Sequence, residues 1–183
     1  MCLLKSHINS KLNFQQTVNM CDRKIYVEIE NAKNCSIDKK EQIKLLIKRE
    51  GHVDITHFDR LWSRNPIIAT IYSGEKLAAC GALKKPKESH IKSVFSEAKS
   101  ELNSKDFQYE LGWIVTEPCF RGKGYCREIV KKLLERNGNT PVFATVRDYN
   151  ATMCAILNKN RFAQEGFRRQ GNGDYSIILF IRK

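Results

Sequence analysis

Glu110-Leu-Gly-Trp-Ile-Val-Thr-Glu-Pro-Cys-Phe-Arg-Gly-Lys-Gly-Tyr-Cys-Arg127 is the stretch from which the rest of the chain can be read. Its first part, Glu110 to Val115, is nearly all apolar and rich in strand formers, as in a central strand buried on both faces. Pro118 stops that strand. Arg121-Gly122-Lys123-Gly124 is a basic, glycine-rich loop, and from Tyr125 the apolar positions 125, 126, 129, 130, 133 and 134 follow a 3.6-residue period toward Asn137-Gly138-Asn139. A glycine-rich loop at a helix N-terminus leaves backbone N–H groups unpaired, with the positive end of the helix dipole behind them. Such a place binds phosphate.

Working outward, Lys24 to Glu30 alternates apolar and polar residues from Tyr26 and reads as a first strand. A helix follows over Ser36 to Glu50, with Ile37, Ile43, Leu45 and Leu46 as a partial apolar stripe and Gly51 as its stop. A short helix is expected over Ile55 to Trp62. Ile67 to Tyr72 and Lys76 to Leu83 form a hairpin around Ser73-Gly74. Lys84-Lys85-Pro86-Lys87 is a basic loop, after which Ile91, Val94, Phe95 and Ala98 recur at helical spacing. Pro141 to Val146 is a further strand, Asn150 caps a helix through Lys159, and Phe167 with Ile177 to Ile181 supplies the last strands. Trp113, Phe143 and Phe162 belong to the core. Strands and helices in this order predict a mixed α/β sandwich.

The 183 residues carry 32 Lys+Arg against 20 Asp+Glu, a net charge of +12 that divides evenly between the two halves of the chain. That excess suits anionic ligands, phosphates on a small molecule or a nucleic-acid backbone. No helix-turn-helix or aromatic RNA-binding motif supports the second. No run approaches the roughly 18 apolar residues of a membrane span, and residues 1–22 lack the apolar centre of a secretory signal, so they read as an extension of a cytoplasmic protein that does not enter a membrane. The seven cysteines (Cys2, Cys21, Cys35, Cys80, Cys119, Cys126 and Cys154) contain no Cys-x-x-Cys pair, and no histidine falls beside them at zinc spacing. Free thiols and no metal are expected.

Two familiar phosphate loops fail here. A P-loop needs Gly where Glu117 stands and Ser or Thr where Gly124 stands, and a dinucleotide fingerprint from Gly122 needs Gly at Arg127. The signature Arg/Gln-x-x-Gly-x-Gly/Ala fits instead, as Arg121-Gly122-Lys123-Gly124-Tyr125-Cys126, with the mild departure of Cys126 in the last small-residue slot. With it the chain resembles the GNAT superfamily of acyl-CoA-dependent N-acetyltransferases. Ile114-Val115-Thr116-Glu117-Pro118 resembles that family's pantetheine-binding strand, and Asn150, Lys159, Phe162 and Glu165-Gly166-Phe167 resemble its second motif of Asn, a helix, then Lys-x-Gly-Phe. Tyr109 to Lys183 carries the resemblance, and the N-terminal half shares only the order of elements.

The resemblance implies a mixed, mostly antiparallel central sheet of about six to seven strands flanked by helices. It divides residues 23–183, one domain, into an acceptor-side half, 23–108, and a coenzyme-binding half, 109–183. It implies acetyl-CoA as co-substrate, held by Ile114, Val115, Thr116, Arg121, Gly122, Lys123, Gly124, Tyr125, Cys126, Arg127 and Asn150, although a plain N-cap accounts for Asn150 equally well. The acetyl group would pass directly to an amine in a ternary complex, with no metal.

A lysine-like amine reaches its neutral form at pH 7 at a cost of about 4.6 kcal/mol, so a base is needed. Glu110, eleven residues before Arg121, stands where the histone-acetyltransferase branch places its strand glutamate, and burial would raise its pKa. A charge at the strand's wet end is the other reading. Gly112 is expected to mark the family's β-bulge, freeing N–H groups near Val115 for the thioester carbonyl. The tyrosine that many relatives use to protonate the departing thiolate is Leu157 here, and Tyr149, Tyr175, Cys154 or water would have to replace it. This departure keeps a non-catalytic acyl-CoA-binding module in view. His90 reads as a residue of the acceptor cleft or as an ordinary surface histidine. The acceptor, a small-molecule or peptide amine, would be selected by regions such as Lys84 to Ser89 and Gln170 to Asp174. No motif names it, and oligomeric state, a homodimer included, stays open.

Overall fold

The computed structural model describes residues 25–50 and 55–183; residues 1–22, the start of the first expected strand at Lys24, and Gly51 lie outside them. Among the described residues seven strands form one sheet: β1 (Glu28–Asn31), β2 (Ile67–Ser73), β3 (Lys76–Lys84), β4 (Tyr109–Thr116), β5 (Val142–Arg147), β6 (Ala163–Gln170) and β7 (Ser176–Arg182). Their order is β1-β2-β3-β4-β5-β7-β6, antiparallel throughout except where β4 meets β5. The helices are α1 (Ile37–Glu50), α2 (Phe58–Trp62), α3 (Glu88–Glu97), α4 (Tyr125–Asn137) and α5 (Ala151–Lys159).

Alternation along the strands sorts the helices onto two faces. Leu111, Val142, Ala144, Ile178 and Phe180 face α4 and α5, where Ile129, Val130, Leu133 and Leu157 complete a core from which water is excluded. Trp113 and Val115 face α1 and α2 with Ile43, Leu46, Ile47 and Phe58, while Phe143, Leu179 and Ile181 on the same face meet α3. The predicted core residues Trp113, Phe143 and Phe162 are all buried.

In α1 the stripe is Ile43, Leu46 and Ile47, whereas Ile37 and Leu45 are exposed. Two residues beyond Ile43 is about 200° around a helix, so Leu45 points away from the sheet that Ile43 packs on. Lys84, expected in a loop, ends β3 and pairs with Glu110 across the ladder.

The second motif also sits differently from its expected place. Gly166 lies at an irregularity in β6, held by the Phe167 N–H donating to the Ala98 carbonyl at 2.7 Å, and Phe167 is exposed. The turn that matches Lys-x-Gly-Phe is Lys159-Asn160-Arg161-Phe162 at the end of α5: Phe162 is buried, its N–H donates to the Leu157 carbonyl at 3.1 Å, and Arg161 holds φ +64 in the slot where glycine is favoured. A side chain there carries a left-handed penalty of about 1–2 kcal/mol, partly offset by glycine's greater freedom when unfolded. Arg161→Gly should therefore raise the unfolding free energy by about 0.5–1 kcal/mol in urea titrations; a loss of stability would show that the arginine side chain outweighs the backbone strain.

Candidate active site

Parallel pairing between β4 and β5 spans only Tyr109↔Val142 and Glu110↔Phe143. Beyond that point the strands part, and the backbone groups that β4 turns toward β5 have no strand to pair with. The parting coincides with a bulge. Cys80 pairs with Val115 and Ala82 with Gly112, so β4 carries one residue more than β3, and Trp113 takes φ +55. The bulge thus centres on Trp113, one residue past the expected Gly112. Gly81 opposite it leaves the space that Ile114 and Ile129 fill, since a Cβ there would lie 2.5 Å from each.

The opening is a cleft of about 760 Å³ walled by β4, the glycine loop, the start of α4, β5 and α5. Ile114, Val115, Thr116, Arg121, Gly122, Gly124, Tyr125, Cys126, Arg127 and Asn150 all line it. Lys123 does not; its ammonium lies 5.0 Å from the Phe120 ring centre. Gly124 caps α4 at φ +82 without a side-chain hydrogen bond, and a Cβ on Gly122 or Gly124 would meet open space. The first turn of α4 consequently offers its N–H groups to the cleft rather than to a capping side chain. The Thr116 hydroxyl is buried with no hydrogen-bond partner among the described residues. Volume, unpaired donors and an unpartnered hydroxyl suit a long polar ligand with an anionic end.

Burial pushes the Cys126 thiol up to about 11 against the lowering effect of Arg127, so it stays neutral in the loop's small-residue slot. Asn150 Oδ1 accepts the Met153 N–H at 3.0 Å, which makes Asn150 the N-cap of α5 as well as part of the cleft wall. Leu157 is fully buried and lines the same wall. Of the side chains considered as its replacement, Tyr149 lines the cleft, its hydroxyl accepting from Arg147 Nη1 at 2.7 Å.

Glu110 stands at the closed end of the fork, buried and on the face opposite Leu111. Lys84 Nζ lies 2.8 Å from its Oε1, the Thr145 hydroxyl donates to the same oxygen at 3.4 Å, and His90 Nε2 lies 3.4 Å from Oε2. A wet strand end is excluded, and so is the elevated pKa expected of a desolvated carboxylate. Burial does push it upward, but the Lys84 charge and the hydrogen bonds from His90 and Lys84 outweigh that and hold it at about 2. These partners lie 26 and 20 residues away in sequence, on β3 and α3, and only the β3–β4 register and the docking of α3 bring them in. Nothing local to Glu110 announces them.

Among the described residues no three His, Cys, Asp or Glu side chains gather as a metal site, Cys35, Cys80, Cys119, Cys126 and Cys154 are free, and no helix is long and apolar enough to cross a membrane.

A carboxyl held below its ordinary value of about 4.3 adds stability above that pH and loses it as pH falls toward 2. Glu110→Gln, which strands Lys84, should lower the unfolding free energy by about 3–5 kcal/mol at pH 7. In urea titrations the gap between wild type and variant should close between about pH 4.3 and 2. A gap that does not change with pH would mean the carboxylate's charge is not what stabilises the fork.

No family model matches the chain. A 62-residue part is 32% identical to an uncharacterised protein of Mycobacterium leprae, spanning 34% of this chain and 17% of that much longer relative. Solved structures match far more. An acyl-CoA N-acyltransferase from Pseudomonas aeruginosa aligns with TM-score 0.65 and 15% identity over 87% of this chain and all of its own. A GNAT-family acetyltransferase from Streptococcus agalactiae gives TM-score 0.59 and 16% identity over 87% and 98%. A putative acetyltransferase from Salmonella typhimurium, solved with its cofactor acetyl-CoA, gives TM-score 0.58 and 11% identity over 87% and 93%. These likenesses extend over 87% of the chain, and the chain has the fold of the GNAT superfamily.

Proposed function

We propose that the protein is an N-acetyltransferase that moves an acetyl group from acetyl-CoA to an amine by direct transfer within a ternary complex. The observation that carries this reading is the cleft that runs from the Gly122–Gly124 loop along the open β4–β5 edge to Gly112 and Thr145, whose hydroxyl donates to Glu110 buried behind the wall. The loop N–H groups, Arg121 and Arg127 would hold the pyrophosphate, with Lys123 adding charge from outside the cleft wall. Ile114, Val115 and Thr116 would present backbone to the pantetheine, Tyr125, Cys126 and Asn150 would close the opposite wall, and the N–H groups after the bulge would polarise the thioester carbonyl. The fold match to a structure holding acetyl-CoA supports the choice of acyl donor.

Glu110 would stand at the acceptor end. Lys84 beside it holds the Glu110 carboxyl below the usual carboxylate range, which makes it a weak acceptor for an ammonium's proton, so Glu110 contributes its charge rather than a free proton site. Tyr149, with its O–H left to donate while it accepts from Arg147, is proposed to protonate the leaving thiolate in place of the absent tyrosine at Leu157. The acceptor is a small-molecule or peptide amine, and the free cysteines suit a cytoplasmic setting. A second reading, an acyl-CoA-binding module without turnover, is favoured by Leu157 alone.

Calorimetric titration should give micromolar binding of acetyl-CoA. Gly124→Asp should remove it by setting a carboxylate against the pyrophosphate at a left-handed position that aspartate tolerates. No heat at millimolar acetyl-CoA with the wild-type protein would overturn the coenzyme assignment. Binding without acetylation of any amine in a mass-spectrometric screen would select the second reading.

A further inference from the structure

Beside the fork stands a titratable side chain to which the chemistry above gives no part. His90 lies in the first turn of α3, its Nε2 3.4 Å from Oε2 of Glu110. The other carboxylate oxygen is occupied by Lys84 and Thr145. Exposure grades outward through the cluster, with side-chain values of 7% for Glu110, 12% for Lys84 and 50% for His90. The ion pair is sealed off, and the imidazole is the member an incoming molecule can touch.

The cluster also abuts the cleft. Thr145, which donates to Glu110, lines it, and so does Gly112, where a Cβ would fall 2.7 Å from Lys84 Cε and 2.9 Å from its Nζ. The glycine is thus the gap through which the lysine arm crosses β4 to reach the carboxylate. Any larger residue at 112 would push Lys84 away from Glu110.

We propose that His90 is the general base of the transfer, with Glu110 as the positioning residue that orients it, and that the acceptor amine enters from the α3 side of the fork. The inference rests on the acetyl-transfer reading. Nε2 is the ring nitrogen near the Glu110 carboxylate, which can only accept; in the neutral imidazole the proposal sets the hydrogen there and uses Nδ1 as the acceptor. The amine lone pair forms the N–C bond, the C–S bond breaks, the thiolate leaves with its electron pair, and the proton lost by nitrogen goes to His90 Nδ1. Glu110, held charged by Lys84, then faces the imidazolium. The charged groups around the imidazole are Glu110 on β4 and, behind it, Lys84 on β3; β5 presents uncharged Thr145, and Lys87 and Glu88 flank it at the head of α3. Imidazole is the side chain that ordinarily changes charge between pH 5 and 8, where a base for this step must act.

The test follows CoA release by the full chain with acetyl-CoA and two amine probes, tetra-alanine with a free N-terminus and spermidine, from pH 5 to 9. His90→Gln should lower kcat/KM for the amine by about 10²–10⁴-fold and flatten the dependence of the rate on pH. Acetyl-CoA affinity by calorimetry should stay within about twofold. Added imidazole should restore part of the rate to His90→Ala, which separates a lost base from a lost fold. Glu110→Gln should lower kcat and displace the pH profile, with partial recovery in Glu110→Asp. His90→Gln turning over at the wild-type rate with the wild-type pH profile overturns the proposal. Wild-type protein that binds acetyl-CoA but acetylates neither probe nor any amine in the wider screen overturns the transfer reading itself, and the role of His90 with it.

Discussion

Two parallel strands that stay paired for only two residues impose everything else on this protein. Past Glu110↔Phe143, β4 and β5 cannot hydrogen-bond to each other, yet each remains tied on its outer side, β4 to β3 and β5 to β7 over six consecutive residue pairs. The sheet therefore opens in its middle without falling apart. The bulge at Trp113 bends β4 away, Gly81 gives Ile114 and Ile129 the room to follow, and α4 closes the floor through Ile129, Val130 and Leu133. Unpaired backbone groups inside a folded domain are destabilising unless a partner satisfies them. The fork thus turns unpaired backbone groups of β4 toward the cleft, and the loop at the head of α4 forms the other end of the same cleft.

The closed end of the fork solves a different electrostatic problem. A carboxylate placed between two hydrophobic clusters would normally be driven neutral, and Glu110 avoids this by drawing Lys84 across the strand through the gap at Gly112. The outcome is a buried ion pair beside the cleft. Such a pair is a poor proton acceptor and a good electrostatic support for a neighbouring group that can change charge.

Sequence patterning reached the order of the elements because each signal was local. The period of α4, the alternation and apolar run of β4, the Asn150 cap and the hairpin around Ser73-Gly74 all depend on residues within a few positions of each other. It went astray where a local pattern had two registers. In α1, Leu45 and Leu46 were equally apolar, and only packing on the sheet chose Leu46. In the second motif, Gly166-Phe167 carried the familiar letters, while the left-handed turn with the buried phenylalanine fell at Arg161-Phe162, where the glycine is absent.

The sequence by itself determined a basic glycine-rich loop at a helix head, a buried central strand before it and an Asn-capped helix after it, since hydrogen-bond donors, proline stops and helical periods are properties of short segments. The tertiary structure alone decided where β4 and β5 part, which residue carries the bulge, and that Lys84, His90 and Thr145 converge on Glu110. Those facts depend on strand register and on the docking of α3, which bring together residues tens of positions apart, and the electrostatics of a buried group are set by such neighbours rather than by its own segment.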